Sequence, residues 1–327
     1  MRSNFFMEFD LSGAEWVVVA YLSNDPAMIG VVESGKSPHV VTGSLISGAP
    51  EKFVLEEHKA VGMNTDPDVI QALRAPLTIP EGIFLPRSMS IRQAGKKSNH
   101  GLNYGMRYKR FALDNEIVET EARMMVELYS TVAYPGISDY WEGIRRELKE
   151  NDRTLTNCFG RKVRLLDEWG PELWNAAYSF KPQSTVVDCV TDAMEFVYYD
   201  DSPEFAPVIL GAQVHDSIMM EYPESTPTEW IGVVALRTCE YMRPPLRYSD
   251  KDFKLHCDLK VGYSWGDMHT VPWEPDPICM GGAIRQALSL VAASQMPPEA
   301  GSSEEGSSEE HQYSPDSQPP EEKASSP

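Results

Sequence analysis

The sequence predicts an α+β fold, on three observations. The strand-like start NFFMEFDL alternates, with Phe5, Met7 and Phe9 on one face and Phe6 and Glu8 on the other. Long helical patterns occupy 116–131 and 138–150, on either side of the stop signal Tyr134-Pro135-Gly136. Two short apolar strands in 207–222 flank a polar turn at 213–217.

The other elements follow in order. Ser12 opens a helix over 12–22, and Ser12 with Glu15 forms an S-x-x-E capping box. A further helix begins at Ser37-Pro38, with serine as cap and proline at the first helical position. Residues 272–277 read as a linker to a last short helix near 283–293. The chain thus divides into a core at 1–270, a linker and short helix at 271–295, and a tail at 296–327.

At 327 residues the chain is long enough to bury a sizeable core. Its 49 acids against 29 bases give a net charge of −20, which excludes a histone-like or cationic membrane-surface protein. Its longest apolar runs, such as the seven residues 16–22, are too short to cross a bilayer. The start MRSNFFMEFD lacks the apolar region of a signal peptide. Five widely spaced cysteines with no CxxC pair predict reduced thiols, a cytoplasmic setting and no zinc site. From Pro297 onward eight acids, one base and a single aromatic predict a disordered acidic tail.

Against that acidity, 86–113 carries Arg87, Arg92, Lys96, Lys97, Arg107, Lys109 and Arg110 with no acid. Charge alone leaves two readings open, a solvated helix face or a place where an anion is gathered.

Three segments carry chemistry. In FDLSGAEW a strand ending at Asp10 sets a carboxylate at a sheet rim, which suits Mg²⁺, although Asp10 and Glu15 could also merely start a helix. In Arg92–Tyr104 the residues Arg92, Lys96, His100 and Tyr104 recur every fourth position. On a helix they form a stripe about 120° wide and about 18 Å long, enough for a nucleoside triphosphate. Gly95, Gly101 and Gly105 argue against a helix kept only for stability. In GAQVHDSIMMEY the His215-Asp216 pair sits at the hairpin turn. Two aspartates brought together can hold two metals about 3.5–4 Å apart.

In this order and spacing the three segments resemble motifs A, B and C of the family A DNA polymerases, the bacterial DNA polymerase I type, and phage members in particular. SNDPAMIGVVESGKSPHVVTGSLI, Phe159-Gly160-Arg161-Lys162, KPQSTVVDCVTDAM and HCDLKVGYSWGDM resemble further elements of that family. The likeness runs from about residue 5 to residue 268.

The resemblance implies a right-hand polymerase palm, built on an antiparallel sheet, with helical fingers. It implies that Asp10 and Asp216 bind two Mg²⁺ ions, helped by the Leu11 carbonyl. Arg92, Lys96 and His39 would hold the triphosphate, and Lys96 could protonate the departing pyrophosphate. His100 would stack on the incoming base and Tyr104 lie beneath the base pair. Glu15 would sit against Tyr104 as a steric gate against a 2′-hydroxyl. Arg161 and Gln183 would touch primer and template, and His215 the primer terminus.

Two departures stand out. Ser217 replaces the carboxylate usual after the His-Asp pair, and Val17 the arginine usual two after Glu15. Asp10 also lies only nine residues from Met1, where the family places a thumb and often a proofreading exonuclease. The expectation is therefore a palm-and-fingers piece that works with a separate thumb-bearing or exonuclease polypeptide. Its other partners would be primer–template DNA and deoxynucleoside triphosphates, in the host cytoplasm if the gene is a phage's. Competing expectations are a catalytically silent DNA-binding or assembly subunit, a single-subunit RNA polymerase and, more remotely, a metal-dependent nuclease.

Overall fold

The computed structural model describes residues 4–294. The acidic tail at 296–327 lies outside them.

The chain opens with strand β1 (Asn4–Asp10), whose alternation appears as buried Phe5, Met7 and Phe9 between half-buried neighbours. Helices α1 (Ala14–Ser23), α2 (Pro26–Glu33), α3 (Pro38–Ser47), α4 (Glu51–Val61) and α5 (Pro67–Arg74) follow, then α6 (Ile91–Leu102), α7 (Tyr108–Asn115) and α8 (Glu119–Leu128). α8 widens into a π-helical turn at Tyr129–Ala133 before α9 (Gly136–Glu150). A small hairpin, β2 (Thr154–Thr156) and β3 (Lys162–Arg164), precedes the long α10 (Pro171–Tyr199). The chain then returns through β4 (Ile209–Val214), β5 (Ser217–Pro223), α11 (Thr228–Met242) and the hairpin β6 (Leu246–Tyr248) and β7 (Lys251–Phe253). It ends with β8 (Asp258–Ser264), β9 (Asp267–Thr270) and α12 (Pro277–Ser294).

The main sheet is antiparallel in the order β4-β5-β1-β8-β9, so the first strand sits at its centre between strands more than 200 residues away. That position explains the pattern of β1. Phe5, Met7 and Phe9 face the core with Ile218, Met220, Leu259 and Val261, under α10, α11 and α12. Each such side chain contributes about 1.5–3 kcal/mol by leaving water. α11 and α12 pack backbone to backbone, because a Cβ on Gly232 or Gly281 would run into the carbonyls of Pro277 and Thr228.

A second close approach seats α6 on α3. A Cβ on Gly95 would strike the His39 carbonyl and come within 2.6 Å of the Gly43 nitrogen. Gly95, which a helix kept only for stability would avoid, is thus the point at which two backbones meet. Gly95→Ala must part the helices, and we expect a loss of about 1–3 kcal/mol, visible as a lowered thermal midpoint.

Beside that contact, a buried ion pair ties three helices together. Glu57 Oε1 accepts from Arg74 Nε at 2.9 Å and Nη2 at 2.6 Å, while Glu57 Oε2 accepts from the Ile91 amide at 3.0 Å. Arg74 also donates to the carbonyls of Pro86 and Met89. A carboxylate is thereby placed at the positive N-terminus of α6.

Several local expectations are corrected. Ser12 does not cap α1. Gly13, in left-handed conformation at φ 62°, turns the chain and leaves Ser12 Oγ to donate to Asp258 Oδ2, while Glu15 accepts from Tyr104. The capping box fails because both members have stronger distant partners. α6 stops at Leu102, so Tyr104 belongs to the following turn and not to the helical stripe. The helix expected from residue 116 begins at Glu119, since Glu116 adopts φ 54° and ends α7. The last helix starts at Pro277, where Asp276 accepts from the Cys279 amide at 3.0 Å, and it packs into the core. α2, unforeseen in the sequence, is capped by Asp25 through the Ala27 and Met28 amides.

Candidate functional site

The sheet brings the two aspartates together. Asp10 ends β1 opposite Ser217 of β5 and Asp258 of β8. Asp216 occupies the β4–β5 turn, where His215 takes φ 54°, and the Leu11 amide donates to the Asp216 carbonyl at 3.1 Å. That hydrogen bond locks the rim of β1 to the turn. Leu11, buried below, lends its carbonyl to the Ala14 amide at 3.3 Å.

Burial, and then the charge of Asp216, hold the Asp10 carboxyl above the usual carboxylate range, against the pull of Lys260. Among the described residues, neither Asp10 nor Asp216 forms a salt bridge. Asp258 differs. It accepts from Ser12 and from His256 Nε2 at 3.0 Å, and the His256 hydrogen bond foremost keeps it below the usual range. Ser217 is buried and donates to the Val214 carbonyl at 2.9 Å.

Across from the carboxylates stands α6, with Arg92, Lys96 and His100 on one face. His39, the second residue of α3, joins them because the Gly95 contact brings α3 so near. Its ring centroid is 6.1 Å from that of His100. Burial first, then Arg92, His100 and Lys96, lower the His39 pKa to about 4, so the ring is neutral at pH 7. The buried Asn99 sets its tautomer. Asn99 Oδ1 accepts from Thr42 at 2.9 Å, so Nδ2 donates to His39 Nδ1 at 3.2 Å and the imidazole hydrogen sits on Nε2. His100 is likewise lowered, by burial and Lys96, with Glu15 and Asp216 opposing. Tyr104 donates to Glu15 Oε2; burial and then the Glu15 charge push its phenol far up, so it stays protonated.

A cleft of about 200 Å³ gathers Glu15, His39, Lys96, His100, Tyr104 and Asp216. A larger cavity of about 320 Å³, walled by Trp141, Trp174, Tyr178 and Arg145, has no carboxylate in its lining. Arg161, Gln183 and His215 are exposed and lie outside the small cleft. Arg161 Nε donates to Asp188 Oδ1 at 2.7 Å, and that pairing raises its pKa. Sequence reasoning missed Asn99 as the orienter of His39, Asp258 as the partner of Ser12, and His58 beside Arg92. Their only signal is three-dimensional.

Among the described residues no three His, Cys, Asp or Glu side chains gather tightly enough to hold an ion by themselves. Two unpaired carboxylates nevertheless fit Mg²⁺, which takes one or two carboxylates and fills its remaining positions with water and phosphate oxygens. Among the described residues no helix is long and apolar enough to cross a membrane, and all five cysteines are free thiols.

A central antiparallel sheet bearing this cleft, with helices that carry the cationic side, has the architecture of a polymerase domain. The sequence profile of DNA polymerase family A matches residues 86–267, more than half of the chain, and the chain belongs to that family. It is 22% identical over 277 residues to a DNA polymerase I of Borreliella burgdorferi, an overlap of 82% of this chain and 26% of the relative. It is 25% identical over 267 residues to the thermostable DNA polymerase I of Thermus aquaticus, covering 78% of this chain and 26% of that enzyme. The chain thus spans about a quarter of the length of these curated relatives. Among solved structures, the POL domain of Pol1 from M. smegmatis, in complex with DNA primer-template and dNTP, superposes with a TM-score of 0.60 at 22% identity. That match covers 81% of this chain and 40% of that one.

Proposed function

We propose that the chain is the palm-and-fingers part of a DNA-directed DNA polymerase, which adds deoxynucleotides to a primer 3′-hydroxyl on a DNA template. The observation that carries this reading is one cleft holding Asp216 on one side and, on the other, cationic Lys96 beside the neutral hydrogen-bond donor His39. Asp10 adjoins Asp216, and Arg92 extends the cationic face by one turn of α6.

In this reading Asp10, Asp216 and the Leu11 carbonyl would hold two Mg²⁺ ions, whose chemistry there would be to activate the primer hydroxyl and to neutralise charge on the leaving phosphates. The chain's own groups do the positioning. Arg92 and Lys96 bind the β- and γ-phosphates, and neutral His39 donates its Nε2–H to a phosphate oxygen. The primer 3′-hydroxyl loses its proton to solvent water, its oxygen forms a bond to the α-phosphorus as the bond to the bridging oxygen breaks, and Lys96 gives the departing pyrophosphate a proton. His100 stacks on the base, Tyr104 lies beneath the pair, and Glu15, held by Tyr104, closes the space a 2′-hydroxyl needs. Arg161, Gln183 and His215 contact the nucleic acid. Catalysis comes mainly from positioning and electrostatics. The setting would be replication in the cytoplasm, a phage's host included.

Primer extension tests this. The chain, beside Asp216→Ala, is given Mg²⁺ with deoxynucleotides or with ribonucleotides, alone and with products of neighbouring genes. Deoxynucleotide extension that vanishes in Asp216→Ala is expected. A requirement for an added product would identify the separate thumb-bearing or exonuclease polypeptide expected from the sequence. Ribonucleotide extension would favour an RNA polymerase, and DNA binding without any extension a silent replication subunit.

A further inference from the structure

We propose that His58, on α4, is a positioning residue that aims the Arg92 guanidinium at phosphate while leaving its charge undiminished. The proposal rests on the reading of Arg92 as a phosphate ligand. The half-buried Arg92 has no salt-bridge partner among the described residues, and its Nη1 lies 3.5 Å from His58 Nε2. A guanidinium only donates, so Nε2 must accept, and the ring hydrogen must sit on Nδ1. Nδ1 is 2.9 Å from Ser90 Oγ, the same oxygen that caps α6 by accepting from the Gln93 amide at 3.3 Å. The imidazole is thus strung between the N-cap of α6 and a side chain two residues further on. Burial and Arg92 also lower its pKa, which keeps it neutral.

The mounting is rigid. Glu57, the preceding residue, accepts from the Ile91 amide at the start of α6 and is itself gripped by Arg74. α4 therefore cannot shift against α6 without breaking the buried hydrogen bond from the Ile91 amide to Glu57. A long arginine side chain left free would lose about 2 kcal/mol of rotamer freedom on binding phosphate. A carboxylate would have held it as well, but would have competed with the ligand for its charge. A neutral acceptor orders the guanidinium and leaves it fully cationic for an anion.

The test is a double-mutant cycle on binding of inorganic triphosphate to the full chain, measured by calorimetry. His58→Ala is expected to weaken binding about three- to tenfold, and to change nothing in an Arg92→Ala background. His58→Gln, whose amide oxygen can accept from Arg92 and whose NH₂ can reach Ser90, should bind within about twofold of wild type. In primer extension the alanine variant should raise the KM for deoxynucleotide with little change in kcat. Equal losses in both backgrounds, or no loss in the wild-type background, would overturn the positioning role alone. Failure of the wild-type chain to bind triphosphate would overturn the phosphate reading of Arg92, and this inference with it.

Discussion

Arg74→Ala is expected to destabilise the chain by about 3–5 kcal/mol, because it strands Glu57 as a buried charge without its cation. Glu57 is fully buried and Arg74 nearly so, which separates this pair from exposed ones such as Lys36–Glu51. The damage should not stay local. Arg74 also holds the carbonyls of Pro86 and Met89, and Glu57 holds the first amide of α6, so the entry to that helix loosens. Replacing both residues with leucine should cost less than the single alanine, since no unpaired charge remains. Denaturant midpoints at constant slope are the measurement. A loss under about 1 kcal/mol would show that water reaches Glu57.

Asp10→Asn is expected to cut extension by about a thousandfold or more, about 4 kcal/mol of transition-state stabilisation, without harming the fold. Its effect on stability should have the opposite sign. Burial and Asp216 raise the Asp10 pKa in the folded chain, so the folded state holds this proton more tightly than the unfolded one. Ionised Asp10 therefore weakens the fold above that raised pKa, and the penalty is relieved as pH falls through it. The amide removes the penalty, so in chelator the variant should melt at or above the wild-type temperature at neutral pH. Added Mg²⁺ should raise the wild-type midpoint by preferential binding to the folded state, and should leave Asp10→Asn nearly unmoved. A variant that melts lower in chelator would mean that Asp10 stabilises the fold.

How far the sequence could be read depended on the range of each interaction. The alternation of β1 and the turn at His215-Asp216 are set by neighbouring residues, and both appear in the structure where local pattern placed them. The face shared by Arg92, Lys96 and His100 follows from helical spacing, but Tyr104 escaped it because α6 ends two residues earlier. Ser12 was misread because its hydroxyl serves Asp258, 246 residues away, in preference to the nearby amides a local capping rule considers. His58 was invisible for the same reason. It faces Arg92 across 34 residues, and only the folding of α4 against α6 brings it there. Glycines 43 and 95 could be noticed in the sequence, but that they meet depends on two helices crossing at that point.

Because α3 and α6 meet backbone to backbone at those glycines and are pinned by the hydrogen bonds of Asn99 to Thr42 and His39, neither helix can slide or roll without lifting off the other. His39 on one and Arg92 with Lys96 on the other therefore cannot be offered to an anion one at a time. They would arrive as a single rigid claw, crossing one barrier, and their affinities should rise and fall together. In the language of local unfolding, the two helices form one cooperative unit, in which opening either exposes the amides of both.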